Sequence, residues 1–495
     1  MTTPAYQELE HRFDRLHRWE HLSAIAGWDQ AAKMPAKSHH ARALALAELQ
    51  THLHHLITQP DWQGLLDSAQ QEPLDQEQQA NVREMTREWR AANALPADLV
   101  ERLSLATSAC EHAWRTQRQQ HDWAGFMPNF AKVLEATREK AERLGQALGC
   151  SPYDALLDQY EPGTTSQSLD RVFGDLETWL PGLIKAAQER QSQSTWPAFQ
   201  GPFPIDAQKR LCHGVVQALG FDFEAGRLDE STHPFCGGVP EDVRITTRYR
   251  EDDFLSALMG TVHETGHACY EQGRRRDRLS QPVSRARSMG IHESQSLAFE
   301  MQLGCSLAFA EFLSPRLVEA FGAQEAFEPR ALQAHLTRVQ PGYIRVEADE
   351  VCYPAHVILR YRIERDLVEG RMAIEDIPSR WEESMRHFLG LEVGEQHGKG
   401  CLQDIHWPEG LIGYFPSYTL GAMYAAQWFA SIRSSNPDLD AQIRKGQFAA
   451  IHQWLRRNIW EAGSLYSTDE LAVRASGETL NPAHFKQHLT HRYLG

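Results

Sequence analysis

Apolar side chains that return every three or four residues constrain this chain more than any other feature. Leu9, Phe13, Leu16, Trp19, Leu22 and Ile25 keep that step, which places them on one face of a helix. Similar patterns occupy 38–57, 97–120 and 128–148. Breaks fall at Pro35, Pro96, Gly149 to Pro152 and Pro162-Gly163, so the first third reads as helical hairpins joined by short turns. The texture changes between about 198 and 250: FQGPFPIDAQ is turn-rich, and DVRITTRY at 242–249 alternates β-branched with polar residues, as a half-buried strand does. A small sheet is expected there and nowhere else. Helix resumes with Asp252 or Asp253 as N-cap, Phe254, Leu255, Leu258, Met259 and Val262 inside, and Gly273 as the stop. A second apolar helix is expected over 289–313, and helical patterns then run to the C-terminus except around 396–421, which is rich in Gly, Pro and aromatics. The reading is a mainly α fold. A length of 495 residues fits two or three domains or one large helical one.

Eight cysteines lie scattered with no C-x-x-C pair, which speaks against a cysteine-rich metal module or a disulfide scaffold and for a reducing compartment. The charged N-terminus, MTTPAYQELEHRFDRLHRWEHL, lacks the apolar core of a signal peptide, and no stretch is apolar for long enough to span a membrane. A cytoplasmic protein with no membrane partner is expected. A formal charge of −16 speaks against a nucleic-acid partner, because phosphate binding needs an excess of Lys and Arg. The basic run Arg274-Arg275-Arg276 reads as a solvated helix end.

The chemistry concentrates in His263-Glu264-Thr265-Gly266-His267. On a helix, His263 and His267 project from one face about one turn apart, the separation at which two imidazoles grip one zinc ion. Glu264 can then reach a water at the open position without being a ligand. With 24 His in the chain this pattern can arise by accident, so context matters. The run sits in an apolar helix, and the next helix carries His292-Glu293-Ser294-Gln295. A carboxylate from there completes two His plus one Glu and leaves the fourth tetrahedral position open. His292 is the alternative third ligand. Neighbouring helix positions point about 100° apart, so only one of the two can face the metal.

Six separated motifs carry a resemblance. They are His233-Pro234-Phe235; Asp242, Arg244 and Thr246; the HETGH run; the HESQ run; Ile344-Arg345 with Ala348-Asp349; and Gly400 with Gln403-Asp404 and His406-Trp407. In this order and over essentially the full length, the chain resembles the Taq-type thermostable metallocarboxypeptidase family. Trp28-Asp29-Gln30 with Met34-Pro35, and Gly413-Tyr414-Phe415-Pro416-Ser417-Tyr418, fit the same resemblance. The resemblance implies one catalytic domain over 1–495 with a deep groove and a small sheet beside the zinc helix. Its parts would be an N-terminal helical part (about 1–195), a zinc-site part (about 196–430) and C-terminal helices (about 431–495). It further implies a homodimer, Glu293 as third ligand, and removal of C-terminal residues from peptides with broad specificity. The cofactor expected is one Zn²⁺ per chain, with Co²⁺ or Mn²⁺ as substitutes.

Other residues carry alternatives. Arg345 either binds the substrate's C-terminal carboxylate or pairs with Asp349 four residues on. Arg244 and Arg248 compete for the first role, although Asp242 and Arg244 can simply pair with each other. Tyr414 and Tyr418 either pack or aim a phenol at the oxyanion. His406 is a proton donor or a satisfied core histidine, and His233 reads as structural. The rival functions are an endopeptidase or dipeptidase with the same zinc site, and a metal-bearing binding protein without turnover. An intact Glu264 speaks against the last, since a binder has no need of a base.

Overall fold

The computed structural model describes residues 4–495. The fold is mainly α with one three-stranded sheet, as the periodicity predicts. The expected helices form over Ala5–Ala32, His39–Ile57 and Ala97–Gln119. The pattern at 128–148 is longer than expected: the helix Trp123–Leu148 starts at an Asp122 cap and passes through Pro128. On the first helix Leu9, Phe13 and Leu16 are buried, but Trp19 and Leu22 are exposed. The apolar stripe therefore runs further than the surface that covers it. One hydrophobic core takes in residues from Cys110 to Tyr493, and a smaller one joins the Ala5–Ala32, Trp62–Ala69 and Gln76–Asn93 helices. Among the described residues no helix is long and apolar enough to cross a membrane.

The sheet comprises β1 (Gly226–Glu230), β2 (Cys236–Val239) and β3 (Asp242–Thr247), with β3 central. It pairs parallel with β1 and antiparallel with β2. Val243 and Ile245 of β3 pack with Ala268 of the following helix. The Thr247 hydroxyl donates to the Ala257 carbonyl at 3.0 Å, so the sheet is fastened to the flank of the HETGH helix.

That helix spans Phe254–Gly273 and is capped by Asp253, whose carboxylate accepts from the Ser256 amide. The second motif helix is shorter than expected. The HESQ helix spans Met289–Leu297 behind a Ser288 cap, and a π-helical turn, Ala298–Gly304, follows. A new helix then begins at Leu307. Every residue of the π turn except Glu300 is buried, so the mostly apolar run reads straight through it.

The arginine run is also not the solvated end expected. Arg274 is buried and pairs with Glu271 at 2.7 Å. Arg275 binds Glu77, Arg278 binds Glu77 and Glu10, and Arg287 forms a buried pair with Glu84. These pairs dock the segment between the two motif helices onto the N-terminal helices. Only Arg276 of the run is exposed.

The HETGH and HESQ helices cross at Gly266. A Cβ there would lie 2.3 Å from the Gln295 carbonyl oxygen and 2.6 Å from the Ser296 Cα, so any side chain pushes backbone against backbone. Gly266→Ala is therefore expected to lower stability by about 1–3 kcal/mol, the usual cost of overpacking. Gly174→Ala, in a helix with nothing near its Cβ position, should be neutral or stabilise by up to about 1 kcal/mol. Denaturant midpoints of the two variants check this.

Candidate metal centre

His263 and His267 turn their Nε2 atoms toward Glu293, whose oxygens lie 3.9 Å from the first and 3.3 Å from the second. One donor atom from each of the three residues lies within 4.8 Å of the others. Donors about 2.1 Å from a tetrahedral ion sit about 3.4 Å apart, so the spacing suits one cation. Glu293 Oε1 is buried with no hydrogen-bond partner, a costly state for a carboxylate oxygen unless a cation faces it. Two imidazoles and a carboxylate form a donor set that suits zinc.

The outward Nδ1 atoms are also engaged. His263 Nδ1 lies 2.7 Å from Glu300 Oε2. His267 Nδ1 lies 2.6 Å from His292 Nδ1, and His292 Nε2 lies 2.9 Å from Glu271. Both nitrogens of His292 thus point away from the three-donor cluster. The rest of the HESQ run is held by distant residues: Trp428 Nε1 donates to Ser294 at 3.1 Å and Trp460 Nε1 to Gln295 at 2.7 Å. Gly421 closes the packing, since a Cβ there would lie 2.7 Å from Glu293 Cβ and Cγ. Glu293 is fixed by contact on the side away from the imidazoles.

Burial opposes charge on all these groups, and the neighbours decide the outcome. At His263 the carboxylates of Glu293 and Glu300 outweigh burial and raise the pKa to about 10. At His267 burial prevails and the pKa falls to about 4. Glu293 resists burial because His263, His267 and Arg345 hold its pKa below the usual range. Burial raises Glu264 to about 7, against the pull of His263 and with help from Glu293 and Glu300. The Glu264 carboxylate makes no hydrogen bond or ion pair among the described residues. A carboxylate without partners beside two other carboxylates and two imidazoles defines a place for a cation and a base next to it.

Arg345 does not pair with Asp349. It lies on a 3₁₀ turn rather than an α-helix, and Asp349 instead accepts from the amides of Gln340, Val351 and Cys352. Arg345 is buried and bonds Asp404 at 3.0 and 2.9 Å, with its guanidinium 4.5 Å from the Tyr418 ring centroid. Arg360 binds the other oxygen of Asp404. Tyr418 is further held by His406, whose Nε2 lies 2.9 Å from the phenol oxygen. Tyr414 stacks edge-on against Tyr418 and Tyr160. Asp242 and Arg244 pair at 2.9 and 2.6 Å, with the guanidinium over Trp28. Arg248 is exposed. Sequence reasoning missed Glu271, Glu300, Arg360 and Gly421. Glu271 lies four residues after His267, a spacing that could have flagged it, whereas the π turn, invisible in the pattern, delivers Glu300.

The cluster is of the kind that metallopeptidases build: two His one turn apart on a helix, a Glu from a second helix, and a free carboxylate beside the first His. A family model described as Carboxypeptidase Taq (M32) metallopeptidase matches residues 8–493. Thermostable carboxypeptidase 1 of Thermus thermophilus is 38% identical over 484 residues, covering 95% of each chain. Carboxypeptidase 1 of Bacillus subtilis is 34% identical over 490 residues, covering 97% of each. The structure of Trypanosoma cruzi metallocarboxypeptidase 1 matches with a TM-score of 0.97 at 46% identity, covering 99% of both chains. The chain belongs to the M32 carboxypeptidase family, and it is a metallocarboxypeptidase.

Removing one donor leaves two, too few for a tight site. His263→Ala, His267→Ala and Glu293→Ala should each emerge from purification with little metal, whereas His292→Ala should still load at saturating metal. Metal analysis of the four variants decides between Glu293 and His292 as third ligand.

Proposed function

We propose that the chain is a zinc-dependent carboxypeptidase that removes single C-terminal residues from peptides of varied sequence, with His263, His267 and Glu293 holding the ion. The observation that carries this is the buried Glu293 carboxylate, one oxygen of it orphaned, facing the Nε2 atoms of His263 and His267, with the unpartnered Glu264 alongside. The ion, when held, supplies a Lewis acid that acidifies a water and polarises the scissile carbonyl. Co²⁺ and Mn²⁺ accept the same donors and are expected to substitute.

Glu264 takes the proton of the attacking water and delivers it to the departing amine, a transfer that suits a carboxyl tuned toward neutrality. Tyr418 donates its phenol proton to the oxyanion as charge develops there. Burial and the nearby Arg345 push His406 down to about 3, so this imidazole is neutral at pH 7. Its part is to hold the Tyr418 phenol rather than to give up a proton as a cation. Tyr414 walls the substrate beside Tyr418.

Recognition of a free C-terminus needs positive charge beyond the scissile bond. Arg345 and Arg360 share the one carboxylate of Asp404, which leaves the cluster with a surplus positive charge. Arg345 lies against Tyr418 and within electrostatic reach of Glu293, whereas Arg360 lies over Trp381, so Arg345 is the one proposed to meet the substrate carboxylate, by charge-assisted bonding. Arg244 is the competitor, on the strand that flanks the HETGH helix.

Three outcomes are expected. Glu264→Gln keeps its metal and loses on the order of 10³-fold or more in kcat, because the amide cannot accept a proton; substantial turnover with bound metal contradicts the assignment. In the wild type kcat/KM falls as pH drops through the Glu264 pKa, since the base must be unprotonated. A bound cation lowers that pKa, so the acid midpoint should lie below about 7. Arg345→Ala should lose far more activity on a peptide acid than on its C-terminal amide. If that preference survives in Arg345→Ala and disappears in Arg244→Ala, the anchor is Arg244.

A further inference from the structure

The two imidazoles of the centre are backed differently. His263 leans directly on a carboxylate, Glu300 at 2.7 Å. His267 leans on a second imidazole, and only beyond it on a carboxylate: His267 Nδ1 to His292 Nδ1 at 2.6 Å, then His292 Nε2 to Glu271 Oε1 at 2.9 Å. Glu271 is fastened in turn, its other oxygen accepting from Arg274 at 2.7 Å. Arg274 donates through Nε to the Ser284 carbonyl at 2.9 Å, which roots the chain in the segment joining the two motif helices.

With one N–H on each imidazole, the proton positions along this chain follow from its far end. An ionised carboxylate only accepts, so His292 must donate from Nε2. A neutral imidazole has one N–H, which leaves His292 Nδ1 as an acceptor. His267 must then carry its proton on Nδ1, and its Nε2 presents a lone pair toward Glu293. The reverse order places the proton on Nε2 and closes the metal position.

We propose that His292 is a positioning residue: through Glu271 it locks His267 in the one tautomer and ring orientation that can bind the metal. The HESQ run thereby supplies two things from adjacent positions, Glu293 for the ion and His292 for the tautomer of the partner ligand. This rests on the reading of His263, His267 and Glu293 as the metal site. The ring geometry fits it: the His292 centroid lies 4.7 Å from that of His267, the separation of two imidazoles bonded edge to edge, and 5.2 Å from Tyr270, tilted 33° to each.

The test measures zinc affinity in metal-stripped protein by competition with a chromophoric chelator. His292→Phe keeps ring volume and removes the acceptor. His292→Asn keeps an acceptor oxygen near the Nδ1 position. His292→Phe should bind zinc about 10–100-fold more weakly, as for other residues that orient metal ligands, and His292→Asn should recover most of the loss. Unchanged affinity in His292→Phe, or a loss in His292→Asn as large as in His292→Phe, overturns the role. His263→Ala separates the two readings. If it too binds zinc like the wild type, the site itself is misassigned; if it loses zinc while His292→Phe does not, only the positioning role fails. A measurement on the intact wild type guards against misfolded variants. Nitrogen-15 spectra of histidine-labelled, zinc-loaded protein should show His267 protonated at Nδ1, with a scalar coupling across the bond to His292. A proton on His267 Nε2 contradicts the proposal.

Discussion

The site depends on one desolvated carboxylate. Glu293 is 5% exposed and sits where two helices press together, its stem against Gly421 and its oxygens against two imidazoles. Leaving such a group charged and partly unpartnered is expensive. A cation offsets that cost, adding to the partial offset that His263, His267 and Arg345 already give. The close approach at Gly266 brings the HESQ helix near enough for Glu293 to reach the histidines. Trp428 and Trp460 tie down the two positions that follow it. Each residue of the HESQ run thus has its own direction and task, as successive steps of about 100° require.

Charge is divided across the site. Glu264, Glu293 and Glu300 crowd the histidines, while Arg345 and Arg360 crowd Asp404 on the side of Tyr418. A peptide terminus carries its anionic carboxylate one residue from the carbonyl to be cleaved. A negative pocket for the ion beside a positive cluster for that carboxylate would orient the chain end and exclude an internal amide. The same division suits Glu264, since like charges and burial raise its proton affinity toward the working range of a general base.

Much of this was legible in the sequence because it is local. The Asp253 cap, the strand at 242, the one-turn spacing of His263 and His267 and the Asp242–Arg244 pair each follow from residues within a few positions. What was not legible is carried by long-range contact or irregular backbone. Helical spacing offers Asp349 as one alternative for Arg345, but its turn is 3₁₀ and its partner lies 59 residues away at Asp404. Glu300 reaches His263 through a π turn that leaves the mostly apolar run unbroken. Trp19 and Leu22 keep the helical step although the fold leaves both exposed. The arginine run at 274 looked like a solvated end because its partners, Glu77 among them, lie in the N-terminal helices.

The measurement that reaches the central claim most directly is X-ray absorption at the zinc edge of the loaded protein. It should show only nitrogen and oxygen neighbours at about 2.0–2.1 Å, with outer-shell scattering from two imidazole rings. A sulfur neighbour near 2.3 Å, or scattering from fewer than two or more than two imidazoles, would contradict a centre built from His263, His267 and Glu293.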